Sequence, residues 1–295
     1  MPLTDDGVPY EDGRLQLAHG RTLAWRWWGD PGATPILRLQ GMPGSRLNRH
    51  PDPSVQRDAG VRLLMADRPG YGGSTRKPGR GIAEFGDDLV ALLDHHKLDR
   101  VPVMGGSGGG PHALAIAARH PGRVSAVTVI VGSSPLVPDE VGRLVGVNAA
   151  GWAAAERGWE PLHQLLVQMR ERVLGAEGIA GVLSDAPPED LAVMQDPAWL
   201  RIAGEASAEA LRQGAEGWAD ESLAIHRPWD FDPGAVKATV TWWHGADDKN
   251  VPLSAAQRAA ARLPRVDLRI LRGEGHFAGM RREGEIIQEL LSRSE

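Results

Sequence analysis

The segment 100–131 constrains the fold of this chain most strongly. An apolar strand candidate, Arg100–Met104, leads through the glycine-rich turn 105–109 into a helix candidate, Pro111–Arg119, and then into a second apolar run, Val124–Val131. Two strands joined by a helix lie parallel, because the helix crosses back over the sheet. Strands that are apolar along their length are buried on both faces. The segment therefore predicts a parallel sheet covered by helices on both sides.

The alternation of strands and helices continues on either side of this segment. Further strand candidates are Arg14–His19, Thr22–Trp28, Pro35–Leu39, Val61–Ala66, Ala238–Trp243 and Val266–Leu271, and further helix candidates are Ile82–Leu98, Ser254–Leu263 and Glu283–Leu291. The first two strands flank Gly20-Arg21, which indicates a hairpin. From Pro135 to Arg227 helical spacing replaces the strand-like runs. We predict an α/β core formed by residues 1–134 and 229–295, with a helical cap inserted at residues 135–228.

The composition excludes several classes of function. The chain has 295 residues, of which 42% are hydrophobic and 24% charged, as is usual for a globular protein. It contains no cysteine, which excludes disulfides, thiolate metal sites and a cysteine nucleophile. A net charge of −5 argues against broad electrostatic binding to nucleic acid or membranes. Because the N-terminus is acidic and lacks a signal pattern, we expect a soluble, cytoplasmic protein.

The glycine-rich turn predicts a catalytic serine. Residues 105–109 read Gly-Gly-Ser-Gly-Gly between a strand and a helix, the setting of a nucleophile elbow. Small neighbours are needed because the serine sits on a strained turn, and the helix N-terminus favours developing negative charge. Glycine-rich turns between a strand and a helix also bind dinucleotides, but such a site requires an acidic residue about 20 positions further on. Residues 128–134 contain none, which disfavours a dinucleotide site. An ordinary glycine-rich loop is the other alternative, and Ser107 is the predicted nucleophile.

A serine hydroxyl needs a general base that is held by an acid. Behind an elbow the chain order is serine, then an acid, then histidine. His276 follows the strand candidate Val266–Leu271 and is the predicted base, while the loop after the preceding strand offers both Asp247 and Asp248. No other histidine has metal-ligand spacing, so neither a metal nor a cofactor is predicted.

Taken together, four segments resemble the α/β-hydrolase superfamily, and the likeness covers nearly all of the chain outside the insertion. Residues 105–109 resemble its elbow, 245–252 its Gly-x-x-Asp-x-x-x-Pro acid loop, 275–277 its Gly-His-Phe base loop, and 67–74 its Asp-x-Pro-Gly-x-Gly-x-Ser segment. The acid-loop pattern selects Asp248 over Asp247. The resemblance thus implies the α/β-hydrolase fold, a mostly parallel central sheet with helices on both faces, and a triad of Ser107, His276 and Asp248.

The resemblance also implies an oxyanion hole. Residues 40–44, Gln-Gly-Met-Pro-Gly, are similar to the family's His-Gly-x-Pro-Gly loop. The backbone amides of Met42 and Gly108 would donate to the developing oxyanion. Gln40 stands where histidine is common, which changes the hydrogen bonding that shapes the loop but leaves a backbone donor in place.

The predicted cap would lie above the strand ends, where ligands bind in open α/β sheets. We predict substrate contacts from Gly41 and from the cap residues Trp152, Trp159 and Trp218, because indole combines a large apolar area with one N–H donor. Packing of the cap itself is the expected role of most cap tryptophans, including Trp199.

These features predict a serine hydrolase that cleaves a small, apolar carboxylic ester or lactone through an acyl-enzyme. Ser107 excludes the family's dehalogenases and epoxide hydrolases, which carry aspartate at the elbow. The alternatives are a proline iminopeptidase-like aminopeptidase, a carbon–carbon bond hydrolase, a non-hydrolytic lyase or cyclase, and a ligand receptor. The iminopeptidases have a bulky residue after the serine and a His-Gly-Gly-Pro-Gly loop, which Gly108 and residues 40–44 do not match. The sequence leaves the oligomeric state open.

Overall fold

A computed structural model describes residues 1–144, 146–178, 181 and 186–294. Its strands are β1 (Tyr10–Gln16), β2 (Thr22–Trp28), β3 (Thr34–Leu39), β4 (Val61–Ala66), β5 (Val101–Gly106), β6 (Val124–Ile130), β7 (Thr239–Gly245) and β8 (Val266–Leu271). They form one sheet in the order β1-β2-β4-β3-β5-β6-β7-β8. The β1–β2 and β2–β4 pairs are antiparallel and all other pairs are parallel. The predicted mostly parallel sheet is confirmed.

Two groups of helices accompany the sheet. Those that follow core strands are α1 (Ser54–Asp58), α2 (Glu84–His95), α3 (Gly109–Arg119), α10 (Leu253–Ala260) and α11 (Glu283–Ser292). Those inserted between β6 and β7 are α4 (Pro138–Val141), α5 (Gly146–Glu156), α6 (Trp159–Leu174), α7 (Pro188–Met194), α8 (Pro197–Ala210) and α9 (Glu216–His226). The helical insertion is confirmed, and its limits at residues 135 and 228 stay a prediction. No helix among the described residues is long and apolar enough to cross a membrane.

The central strands of the sheet are buried on both faces, as their apolar sequences require. Successive side chains of a strand point to opposite faces. In β4, Leu63 and Met65 pack in one cluster with Ile286 of α11, whereas Leu64 packs in the opposite cluster with Leu89 of α2. The cap helices form a separate apolar cluster, to which α5, α6, α8 and α9 contribute together with Tyr71 of the core.

The N-terminal hairpin exists, but the predicted position of its first strand was wrong. The strand is Tyr10–Gln16 rather than Arg14–His19, and it pairs so that Tyr10 faces Trp28 and Gln16 faces Thr22. Strand β1 lies at the edge of the sheet and is only partly buried, so its own residues carry little apolar alternation. Its limits are set instead by pairing with the buried strand β2.

The parallel strands bring several loops to one edge of the sheet. The loops that follow β3, β5, β7 and β8 all leave from the carboxyl ends of parallel strands, and the cap leaves from β6 at the same edge. This is the edge at which open α/β sheets bind ligands.

Candidate active site

The turn between β5 and α3 holds Ser107 in a strained conformation. Its φ of +50° is in the left-handed region, which is uncommon for a residue with a side chain. The Ser107 amide donates to the carbonyl of Ile130 at 2.8 Å. A Cβ atom at Gly109 would lie 2.2 Å from the carbonyl oxygen of Leu39, so only glycine fits there. The turn thus places the serine hydroxyl at the edge of the sheet where the parallel strands have their carboxyl ends.

The structure brings Ser107, His276 and Asp248 together in one chain of hydrogen bonds. Ser107 Oγ lies 3.0 Å from His276 Nε2, and His276 Nδ1 lies 2.8 Å from Asp248 Oδ2. The amides of Asn250 and Val251 donate to Asp248 Oδ1 at 2.8 and 2.9 Å, which fixes the carboxylate. In this geometry His276 donates Nδ1–H to the carboxylate, so its Nε2 can accept the proton of the hydroxyl.

The Asp248 carboxylate stabilises the protonated form of His276. Burial disfavours the charged imidazole, but the adjacent Asp248 carboxylate outweighs it and raises the pKa of His276. Burial likewise opposes the ionised carboxylate, but His276 lowers the pKa of Asp248. The pair is therefore arranged to stabilise an imidazolium next to a carboxylate, the state that forms when the base removes a proton from serine.

The acid loop separates its two neighbouring aspartates. Asp247 is exposed to solvent, and its amide donates to the carbonyl of Glu274. Asp248 instead points inward, where the buried His244 lies with its Nε2 3.5 Å from Asp248 Oδ2. His244 Nε2 donates to the carbonyl of Val251 at 2.9 Å. Sequence reasoning assigned no partner to His244, although it stands four residues before the acid, at the end of strand β7.

Two backbone amides lie beside the serine with their donors unused. A Cβ atom at Gly108 would be 3.5 Å from the amide nitrogen of Met42, and one at Gly41 would be 3.4 Å from Ser107 Cβ. Within the described part of the chain, neither the Met42 nor the Gly108 amide donates a hydrogen bond. Such a pair of amides can donate to an oxygen of a carbonyl held at Ser107.

The loop that carries Met42 is held by hydrogen bonds that the sequence did not reveal. Gln40 Nε2 donates to the carbonyl of Ala66 at 3.0 Å. Arg68 donates through Nη1 to the carbonyl of Gln40 at 2.6 Å and through Nη2 to the carbonyl of Gly41 at 2.7 Å. The glutamine that departs from the family pattern thus takes part in the scaffold. Arg68 occupies the variable position of the Asp-x-Pro-Gly segment, so the pattern gave no sign of its contacts.

A carboxylate from the cap compensates the charge of Arg68. Glu221 of α9 is 0% exposed, and its Oε1 lies 2.6 Å from Arg68 Nε. His112 Nε2 donates to the same oxygen at 3.1 Å, and Nη2 of the buried Arg80 is 4.0 Å from Oε2. Burial opposes ionisation, but Arg68 and its neighbours hold the pKa of Glu221 well below its ordinary value.

A cavity of about 330 Å³ opens at Ser107, in the size range of small-molecule sites. Its lining includes Gly41 and Trp218, which were predicted to contact substrate. Its larger apolar side chains are those of Met42, Pro43, Val147, Met169, Val173, Met194, Trp218, Val251, Phe277 and Met280. Four of the chain's seven methionines are among them, and methionine adapts readily to ligand shape.

Two of the tryptophans predicted to contact substrate lie outside this lining. Trp152 packs against His226, with ring centroids 3.8 Å apart. Trp159 stacks on His163 and donates through Nε1 to Asp220 at 2.9 Å. Both side chains therefore have partners within the cap.

Polar groups in the cavity lining are mostly neutral. They include the side chains of Asn48, Asn148, Asn250, Ser133 and Ser207, and the charged Lys249. Among the described residues that line the cavity there is no carboxylate. Nor does any group of three or more His, Asp or Glu side chains in the described ranges have the arrangement of a metal site.

Comparison with known proteins supports the fold described above. The sequence profile of the family described as alpha/beta hydrolase fold matches residues 34–170. The enol-lactonase from Burkholderia xenovorans LB400 superimposes with a TM-score of 0.68 at 19% identity, covering 95% of this chain and 99% of that one. The chain therefore has the α/β-hydrolase fold, and its residues 34–170 match that family.

Curated relatives are distant in sequence and varied in activity. The dihydrolipoyllysine-residue acetyltransferase component of the acetoin cleaving system of Pseudomonas putida is 27% identical over 92% of this chain and 66% of its own length. The chain thus spans just under two thirds of that relative. The 2-hydroxy-6-oxononadienedioate/2-hydroxy-6-oxononatrienedioate hydrolase of Cupriavidus pinatubonensis is 26% identical over 84% of this chain and 82% of that protein.

Proposed function

We propose that this protein is a serine hydrolase that cleaves carboxylic esters or lactones through an acyl-enzyme. The observation that carries the proposal is the chain of hydrogen bonds from Ser107 through His276 to Asp248. Beside Ser107 lie two backbone amides, those of Met42 and Gly108, that have no acceptor among the described residues.

In the proposed reaction, Ser107 Oγ attacks the substrate carbonyl while its proton moves to His276 Nε2. The carbonyl oxygen becomes an oxyanion, which accepts hydrogen bonds from the amides of Met42 and Gly108. Collapse of this intermediate expels the alkoxide, which takes the proton from His276. Water then attacks the acyl-enzyme by the same route and releases the carboxylic acid and Ser107. Asp248 stays ionised and stabilises the imidazolium in both halves.

The cavity supports a substrate with an apolar acyl or alcohol part. Methionine, valine and phenylalanine side chains dominate the lining near Ser107, and they exclude water without offering specific hydrogen bonds. Asn148 and Asn250 supply amides in the same lining, with Asn148 Nδ2 donating to Asn250 Oδ1 at 2.7 Å. A compact ester or lactone of limited polarity matches this environment.

Labelling with a fluorophosphonate, read by intact mass, tests the activated serine. We expect the wild type to gain one adduct and Ser107→Ala to gain none, because only a serine paired with a base attacks phosphorus at a useful rate. Ser133→Ala is the matched control, since Ser133 also lines the cavity and its loss should leave labelling intact. A folded wild type that takes no label would contradict the proposal and favour a ligand receptor.

The aminopeptidase alternative makes a different demand on the cavity. An aminopeptidase must bind the substrate ammonium, which needs carboxylates or other acceptors when it is buried. The described lining offers a lysine and no carboxylate. The electrostatics of the cavity thus favours a neutral acyl group.

Three chromogenic substrates separate the two functions. We expect p-nitrophenyl butyrate to be turned over fastest, then p-nitrobutyranilide, with prolyl p-nitroanilide at least about tenfold below the neutral anilide, since its ammonium lacks a partner. The two anilides share a leaving group, so their ratio of kcat/KM isolates the ammonium. Preference for the prolyl anilide would assign the protein to the aminopeptidases instead.

A further inference from the structure

A carboxylate from the cap is bonded to the loop that carries His276. Asp190 belongs to the cap helix α7 and is 2% exposed. Its Oδ2 accepts from the backbone amide of His276 at 2.9 Å, and its Oδ1 accepts from the amide of Phe277 at 2.8 Å. Both oxygens are thus used by consecutive amides of a loop 86 residues away in sequence.

The loop approaches this carboxylate so closely that one position must be glycine. A Cβ atom at Gly275 would lie 2.5 Å from Asp190 Oδ2. Apolar contacts surround the same junction, because Met194 of α7 belongs to a buried cluster against which Phe277 and Met280 pack. The base loop and α7 therefore fit together through both polar and apolar surfaces.

Asp190 is buried without a cation beside it. No lysine or arginine in the described ranges forms an ion pair with Asp190, and its compensation comes from the two amides and the nearby His276. Burial raises the pKa of Asp190, the amides and the imidazole oppose that rise, and the charge of Asp248 adds to it. Burying a carboxylate in this way costs stability, which a purely structural contact could avoid with a neutral side chain.

We propose that Asp190 is a positioning residue for the reaction: it fixes the backbone of residues 276 and 277 so that the imidazole of His276 faces Ser107. This inference rests on the proposed function. The negative charge of Asp190 also favours the imidazolium, since it raises the pKa of His276 after the larger effects of burial and of Asp248. Because α7 belongs to the cap, correct alignment of the base requires that α7 be seated on the core.

The direct test is replacement of Asp190 by asparagine. The side chain keeps its shape, but it has one oxygen for two amides, and its NH₂ group faces the second N–H. We expect kcat to fall about 10²-fold, the cost of a misplaced catalytic group, with a smaller change in KM. Loss of the negative charge should lower the pKa of His276 and move the acid limb of kcat/KM to lower pH. Glu189→Gln removes a charge from the same helix turn, and we expect wild-type values from it.

A second variant reaches the same contact from the base loop. Gly275→Ala keeps the charge of Asp190 and forces the loop away from the carboxylate, so we expect a fall in kcat. In the double variant with Asp190→Asn the losses should overlap rather than multiply, because both changes break one contact. Multiplying losses would overturn the inference.

NMR titration of the His276 Cε1–H signal, assigned by its loss in His276→Gln, separates this inference from the proposed function. Wild type without esterase activity would contradict the proposed function, and the titration would still decide the role of Asp190. A lower His276 pKa in Asp190→Asn than in Glu189→Gln supports positioning by charge and contact. Equal His276 pKa values and equal kcat in these two variants, with only the melting temperature lowered, would show a structural role and overturn the proposal.

Discussion

Replacing Asp248 by asparagine is expected to lower kcat by about 10⁴-fold while leaving the protein folded. The reason lies in the two contacts of His276. With a carboxylate at 2.8 Å, Nδ1 carries the hydrogen and Nε2 is free to take the serine proton. An asparagine amide can instead donate to Nδ1, which places the hydrogen on Nε2, where it faces the serine and blocks proton transfer.

The neighbouring aspartate provides the matched control for this change. Asp247→Asn has the same chemistry one residue away, but Asp247 is exposed, so we expect kcat within about twofold of wild type, as for surface substitutions in general. Steady-state kinetics on an activated ester measures both variants. A kcat for Asp248→Asn within tenfold of that for Asp247→Asn would remove Asp248 from the proposed triad.

The pH dependence of activity is a second measurement of the effect of Asp248→Asn. The base works when neutral, so activity rises with pH through the pKa of His276, which lies above its ordinary 6.5 in the wild type. Burial lowers this pKa, and Asp248 makes the largest contribution that raises it. Removing the carboxylate should therefore lower the pKa of His276. The acid limb of the residual activity in Asp248→Asn should therefore lie at lower pH than in the wild type.

Local sequence patterns predicted the parts of this fold that local chemistry controls. Strands β2, β4 and β8 have the predicted limits, because each is a mainly apolar run with turn-forming residues close to both ends. Ser107 could be predicted as a nucleophile because the strained turn needs glycine neighbours that the sequence displays directly. The edge strand β1 was misplaced because pairing with β2, rather than its own pattern, determines where it begins and ends.

The cap's polar contacts with the core could not be predicted in this way. Asp190 and Glu221 lie on cap helices with an acidic composition, where a single carboxylate has the same pattern as any solvated residue. Only the packing of the cap on the core buries them and brings them to the base loop and to Arg68. The same packing decides that Trp218 lines the cavity while Trp152 and Trp159 do not.

Replacing Glu221 by glutamine is expected to destabilise the protein by about 3–5 kcal/mol at pH 7, since it leaves buried cations without their carboxylate. Arg68 and Arg80 are both fully buried at the side chain, and Glu221 lies 2.6 and 4.0 Å from them. Glu216→Gln on the same helix is the control, because its carboxylate is 39% exposed and its loss should cost less than about 1 kcal/mol. Urea unfolding measures the three proteins.

The pH dependence of this stability has a definite sign. The pKa of Glu221 is lowered in the folded state, so the carboxylate contributes stability that is fully present above its ordinary pKa of 4.5 and is lost as the pH falls below that value. The difference between wild type and Glu221→Gln should therefore be largest near neutrality and should narrow in acid. A constant difference from pH 7 to pH 4 would show that shape, and not charge, explains the loss.

Arg80 offers a second test of whether the charge of Glu221 stabilises the fold. None of its three guanidinium nitrogens has a hydrogen-bond partner among the described residues, and its ion pair there is with the Glu221 carboxylate, 4.0 Å away. In the Glu221→Gln background, Arg80→Met should recover part of the lost stability, because it removes a buried cation that no longer has a counter-charge. In the wild-type background the same change should destabilise or be neutral. Equal effects of Arg80→Met in the two backgrounds would contradict the coupling between Arg80 and the charge of Glu221.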